Sequence, residues 1–439
     1  MNAVNNGPLP YTEERTWTNF DDYRSAEFPY ARTHDASFCA RYGGEHTVDV
    51  AFIFPDPDAD VSDERNYDFQ LTDEYLKTMI DAGTKPFFRL GSKIEHWSKK
   101  YNTVPPKDFF KWAQICEHII AHYTEGWANG FHYDIPYWEI WNEADGLPDD
   151  APPKAKCCWG GTKAQFFEFY GIVAKHLKKR FPHLKIGGPA VCSVDSWHMF
   201  FRTIGPWFRD FLKYCSENDV PLDFFSWHGY TDRADNYADS AKIARKALDK
   251  YGFSHTESIL NEWNYLVGWS DDDFLKSVQS VIGIRGAIFS AAVMCSCQNA
   301  PVDMLMYYDA QPGLFNGLFD YYTQKPLPTY YAFMIFAKLR KSGIQVKATS
   351  SDKEIYVLAA KGEKTKSFYI AYFPWKRFRY KETPKKNKKI KIHAAIKKCA
   401  AYLLDETHNL CKNDDVIFKN GKATIELAPY SLLYMEIEE

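Results

Sequence analysis

No run of about 18 apolar residues occurs in the 439-residue chain, so no membrane-spanning helix is expected. A basic excess is missing too. The formal net charge of −3 leaves no electrostatic footprint for nucleic acid. The only dense charge run, KKNKK at 385–389, reads as a solvated hairpin tip. The first 30 residues carry Asn, Pro, Glu, Asp and Arg throughout and lack the apolar stretch of a secretion signal, which points to a cytoplasmic protein. The ten cysteines are scattered, which in that compartment means reduced thiols. Cys157-Cys158 and Cys295-x-Cys297 do not repeat with the paired spacing of a zinc site. His34, His96 and His228 do not form an H-x-x-x-H pattern, so no metal and no cofactor are expected. A glycine-rich phosphate fingerprint after an early strand is absent, as are internal repeats. What the chain has in quantity is aromatic residues, 17% of the total. Aromatic faces pack cores, and they also stack on sugar rings.

Up to about residue 340, short apolar strands alternate with helical stretches. Strands are expected at 2–7, 29–36, 85–91, 137–143, 184–190, 222–230, 257–264 and 302–310. Helices are expected between them, among them 72–83, 106–126, 163–181, 197–218 with a break at Gly205-Pro206, 239–252, 271–297 and 328–341. The stretch 43–69 is rich in Asp and Pro and reads as a structured loop. Eight such βα units favour a (β/α)8 TIM barrel, class α/β, over an open doubly wound sheet. From about 344 the period changes to short alternating strands, expected to form a C-terminal all-β sandwich-like domain. The expected division is 1–342 for the barrel and 343–439 for the β-domain.

Within the barrel the sequence YWEIWNEADG at 137–146 breaks a rule, because a strand interior disfavours Asn and a buried carboxylate needs a partner. Such conflicts mark functional sites. Barrel chemistry sits where strands end. Strand four ends in Asn142-Glu143, and strand seven ends in Asn261-Glu262. Curvature can bring those two ends to opposite sides of one pocket. Paired carboxylates across a sugar are what glycoside hydrolysis requires: about 5–5.5 Å apart for attack by one of them, about 6.5–9.5 Å when a water must fit. A single such glutamate would read as an ordinary capping or ion-paired side chain; two in the same context favour function.

The stretches WEIWNE and LNEWN, with ARTHD upstream and SWHGY between, resemble glycoside hydrolase family 39 of clan A, which includes β-xylosidases and α-L-iduronidase. The resemblance covers essentially the whole chain. It implies hydrolysis with retention through a covalent glycosyl-enzyme, with Glu143 as acid/base and Glu262 as nucleophile. It also implies that Asn142 bonds the substrate 2-hydroxyl and that Arg32 lies near the nucleophile. The long 42–70 segment and the loop after Glu143 depart from the classical xylosidases, which leaves the sugar open.

Other residues divide between site and core. Tyr230 joins Arg32 as a candidate donor to the nucleophile. His34 falls on the same side as Arg32, and His228 on the same side as Tyr230. Glu139 is expected deeper in the barrel, paired with a buried cation such as Arg89. Glu95 and His96 follow strand three within reach of substrate. Trp97, Trp263 and Tyr308 are candidate sugar platforms or core residues, and Asp309 is a candidate hydroxyl partner. The expected partner is a carbohydrate, with no nucleic acid and no membrane; a homo-oligomer is compatible with the sequence. Together these readings give a metal-independent, exo-acting glycosidase, β-xylosidase-like. The alternatives are an exo-glycosidase with another specificity (β-glucoside, β-galactoside or an arabinose-containing glycoside) and a non-catalytic carbohydrate-binding protein.

Overall fold

The computed structural model describes residues 1–11, 17–34, 46–198, 201–374, 386–393, 398–414 and 416–438. Eight strands close into a barrel in the order one, eight, seven, six, five, four, three, two, and every neighbouring pair is parallel. They are Asn2–Asn5, Tyr30–Arg32, Lys85–Leu90, Tyr137–Ile140, Lys185–Val191, Phe224–Thr231, Glu257–Tyr265 and Met304–Tyr307. Parallel neighbours need crossovers, and helices such as Gln70–Asp81, Phe109–Thr124, Lys163–Arg180 and Asp235–Lys250 supply them.

The barrel interior is layered. Ala3, Phe87, Tyr137, Phe224, Ile259, Met304 and Met306 fill its lower end as a separate apolar cluster. Two residues further along, the inward positions of strands one, two, three, four and seven turn polar: Asn5, Arg32, Arg89, Glu139 and Asn261, all buried. Strand five has glycine at this level because strand six runs too close for a side chain. A Cβ on Gly187 would lie 2.2 Å from the Phe224 carbonyl oxygen.

Several elements differ from the sequence expectation. Strand four stops at Ile140 rather than running to 143, because Trp141 and Glu143 take left-handed backbone conformations (φ 71° and 48°). The stretch expected as helix from 197 is a hairpin, Asp195–His198 against Phe201–Ile204, and the helix begins only at Pro206. Aromatic and β-branched residues there (Trp197, Phe201, Thr203, Ile204) suit strand pairing, and proline starts the helix where its missing N–H costs nothing. In the KKNKK run, Lys385 lies outside the described residues. Lys388 already belongs to the strand Lys388–His393 and pairs with Asp352 and Glu354.

The C-terminal strands form a six-stranded antiparallel sheet and a separate two-stranded one. Alternation assigns the faces. Ile370 and Tyr372 pack with Ile392, Ile425 and Leu427 of the small sheet. Tyr369, Ala371 and Phe373 join the core shared with the barrel helices.

Candidate active site

Two backbone irregularities aim the carboxylates. Past strand four, the left-handed Trp141 sends its ring outward onto Trp112, Trp159 and Phe169 and turns Asn142 inward. Glu143 is then tied to strand five by its N–H, which donates to the Ala190 carbonyl at 2.9 Å. On strand seven the register slips against both neighbours. Trp227 and His228 face Leu260 and Glu262, while Leu305 and Tyr307 face Leu260 and Trp263. This bulge gives the strand one extra residue, so Asn261 and Glu262 both reach the interior.

Arg32 holds the centre and is fully buried. It donates to Glu139 at 2.6 Å, Asn142 Oδ1 at 2.7 Å, Glu262 Oε1 at 2.8 Å and Asn5 at 3.2 Å. Glu139 also accepts from Asn261 Nδ2 at 2.6 Å. Its partner is therefore Arg32 and not Arg89. Arg89 is claimed by Asp49, at 2.7 Å, from the long loop after strand two.

The environments of the two glutamates are unequal. Glu262 is nearly buried and sits among donors: Arg32, the Tyr230 hydroxyl at 2.8 Å on Oε2, and His34 Nε2 at 3.2 Å from Oε1. Burial, with the Glu262 charge beside it, pushes the Tyr230 hydroxyl far above its usual range, so it stays a donor. Among the described residues, no Lys or Arg is paired with Glu143. Burial raises its pKa, and the thiols of Cys192 and Cys158 and the Arg32 charge offset this only in part. His228 Nδ1 lies 2.8 Å from Glu143 Oε1 and 3.5 Å from Glu262 Oε2, bridging the pair. Burial lowers the His228 pKa to about 4, so the imidazole is neutral near pH 7. One atom each of Glu143, His228 and Glu262 lie within 4.8 Å of one another, so the nearest carboxylate oxygens are no further apart than that. These donors could also bridge a divalent cation, but it would have to displace Arg32 and Tyr230 from Glu262.

Among the described residues, the buried polar atoms of the cluster with no hydrogen-bond partner include Asn142 Nδ2 and His228 Nε2. Buried polar atoms left without partners are uncommon in folded proteins and suit a ligand hydroxyl.

Of the residues singled out in the sequence, Arg32, His34, Asn142, Glu143, His228, Tyr230 and Glu262 converge here. Tyr308 is at the edge, its ring 6.2 Å from that of His34. His96 is exposed and near enough for its charge to lower the Glu143 pKa. Asp309 is buried and holds the rim, accepting from Asn6, the Gln311 N–H and Asn316. Glu95 does not reach substrate, because its oxygens accept from the 101–103 backbone and the Thr103 hydroxyl. Trp97 is exposed, 76% accessible. Trp263 is no sugar platform. It follows the inward Glu262 and so points outward, fully buried against Tyr237, Tyr307 and Phe333.

Four contributors were missed. Asp145, two residues past Glu143, accepts from the Cys192 N–H at 2.9 Å, and burial raises its pKa to about 7. The thiols of Cys192 and Cys158 touch Glu143, Cys158 at 3.8 Å. Trp269, 66% exposed, stands 5.5 Å from the Tyr230 ring. The adjacency of Cys157-Cys158 just after Glu143 was the one available signal; nothing in the sequence linked Cys192 or Trp269 to the pocket.

Known proteins are similar to this chain in sequence or in fold. The chain is 24% identical to a β-xylosidase of Geobacillus stearothermophilus over 62% of its own length and 56% of that protein's. It is 26% identical to a β-xylosidase of Caldicellulosiruptor saccharolyticus over 74% of its length and 66% of that protein's. It thus spans 56–66% of the length of these relatives. A solved glucosidase of Croceicoccus marinus has the same fold, with a TM-score of 0.76 at 24% identity, covering 100% of this chain and 95% of that one. The model of Glycosyl hydrolases family 39 matches residues 46–397. With most of its length inside that match, the chain belongs to glycosyl hydrolases family 39.

Proposed function

We propose that the protein is a retaining, exo-acting glycoside hydrolase that removes β-xylosyl residues from short oligosaccharides or glycosides. The observation that carries this reading is the pair of unequal carboxylates with oxygens within 4.8 Å. That close approach favours direct attack on the sugar over an inverting water, which needs carboxyl groups about 6.5–9.5 Å apart. Glu262, kept among cationic and hydroxyl donors, attacks the anomeric carbon. Glu143, whose raised pKa keeps a proton available, protonates the departing oxygen. Once the leaving group is gone, Glu143 as carboxylate takes a proton from water. That water attacks the anomeric carbon and returns Glu262 to its free form. Neutral His228 keeps Glu143 aligned without adding charge. The free Asn142 Nδ2, fixed by Arg32 on its Oδ1, is aimed to bond a sugar hydroxyl, as the family resemblance implies for the 2-hydroxyl.

The xyloside choice rests on the two β-xylosidase relatives. A β-glucoside is the second reading, favoured by the likeness to the Croceicoccus marinus glucosidase over the whole chain. A panel of 4-nitrophenyl glycosides offered to the wild type, Glu143→Ala and Glu262→Ala separates them. Cleavage of the xyloside, a dead Glu262→Ala and azide rescue of Glu143→Ala are expected. No cleavage of any glycoside, with sugars still bound, would support a carbohydrate-binding protein instead.

A further inference from the structure

The loop that follows Glu143 carries two adjacent cysteines whose sulfurs lie 3.6 Å apart. Their placement is fixed by neighbouring loops. The Cys158 carbonyl accepts from Trp141 Nε1 at 2.9 Å, and the Cys157 carbonyl accepts from the Glu95 N–H at 2.8 Å. Lys156 beside them ties the loop to the Asp149 and Gly161 carbonyls. Cys157 is partly exposed, whereas Cys158 is buried with its thiol 3.8 Å from Glu143 Oε2. The hydrogen bond shared with Cys158 lowers the Cys157 pKa, and the nearby His96 adds to this. The Cys158 pKa is raised, first by that same bond and then by burial.

We propose that Cys157 and Cys158 form an oxidation site for hydroperoxides, closing to a disulfide that disturbs the acid/base Glu143. The effect on Glu143 rests on the function proposed above; the chemistry of the two thiols does not. A partly exposed, thiolate-prone cysteine beside a second thiol is the arrangement that reacts with peroxide and then resolves. The Cys157 thiolate attacks one peroxide oxygen. An S–O bond forms, the O–O bond breaks, and the leaving hydroxide takes a proton to become water. Cys158 then attacks the sulfenic sulfur. The S–S bond forms, the S–O bond breaks, and hydroxide leaves with the Cys158 proton as a second water. Two thiols are oxidised and one hydrogen peroxide is reduced to two waters. The sulfurs must close from 3.6 Å to about 2.05 Å. Cys158 thereby loses its thiol hydrogen to Glu143, and its carbonyl pulls on Trp141, two residues before Glu143. Other described cysteines differ: Cys116, Cys215, Cys295 and Cys297 are buried, and burial raises their pKa values. Cys411 is exposed on the β-domain and serves as an internal control.

The test treats the reduced full-length protein with hydrogen peroxide, blocks remaining thiols with iodoacetamide and maps peptides by mass spectrometry. The expected result is a peptide two hydrogens lighter that carries both Cys157 and Cys158 unblocked, with dithiothreitol restoring both thiols. Turnover of a glycoside with a poor leaving group is expected to fall at least ~10-fold and to recover with dithiothreitol. Cys157→Ser is expected to retain its turnover through the same treatment, and Cys158→Ser is expected to stop at a dimedone-reactive Cys157. The proposal is overturned if Cys157 and Cys158 stay blockable while Cys411 is oxidised, or if the disulfide forms and turnover is unchanged. Peptide mapping needs no substrate, so a protein that cleaves no glycoside leaves the thiol result standing or falling by itself.

Discussion

Arg32 donates to acceptors from three other strands, and all of them are buried or nearly so. Removing it would strand Glu139 and leave Glu262 with less positive charge. Loss of one partner of such a network costs about 3–5 kcal/mol. Arg32→Lys keeps the charge but not the planar fork. Turnover is expected to fall by ~10²–10³, as when one fixed donor to a charged site is lost; steady-state kinetics and thermal melting read both effects. Glu143 sets a pH limit. With its pKa raised by burial, kcat/KM on a poor leaving group is expected to decline above the ordinary carboxylate range as its proton is lost. A pH–rate profile measures the limb, and Glu143→Ala should abolish it. Asp145 makes a stability prediction. Its folded pKa is raised from 3.8 to about 7, so the folded form prefers the protonated carboxyl. The penalty is absent below the unfolded value, grows as pH rises and is complete above about 7. Asp145→Asn keeps an oxygen for the Cys192 N–H and is therefore expected to stabilise by about 1–3 kcal/mol at pH 8 and not below pH 4. Urea unfolding at the two pH values decides it.

Strand seven shows what an element can add to its residues. Its bulge turns Asn261 and Glu262 both inward, to Glu139 and Arg32, and leaves Trp263 facing the helices. Trp263→Phe is therefore expected to lower stability by about 1–3 kcal/mol and leave KM unchanged; a raised KM at full stability would restore a sugar-facing role. Trp269, on the loop after this strand, is expected to behave oppositely. Trp269→Ala should raise KM for glycosides with a large aglycone while the melting temperature holds. The two tryptophans also mark what was legible. Strand alternation alone puts Trp263 opposite Glu262, so its burial was readable. Trp269 lies in a loop whose path is set by contact with Phe274 and Phe315, which no local pattern encodes. Glu139 was read correctly as deep and paired. Its partner was not, because Asp49, which takes Arg89, comes from a loop without periodicity. The hairpin Asp195–His198/Phe201–Ile204 was missed because its apolar residues also fit the start of the following helix.

At the scale of the whole molecule, the fold follows from two periods: eight βα units close the barrel, and alternating strands make the sheets behind it. The six-stranded sheet presents Tyr369, Ala371 and Phe373 to the barrel helices. The barrel gathers polar side chains from strands one, two, four, six and seven around a pair of carboxyl groups in unequal surroundings. The consequence is stereochemical. Proton NMR of the sugar released from a β-glycoside, recorded before mutarotation, reads the configuration of the first product. Under the proposed mechanism, in which Glu262 attacks and water then displaces it from the opposite face, the β anomer is expected to appear first. Initial release of the α anomer would mean single displacement by water and would contradict the roles given to both glutamates.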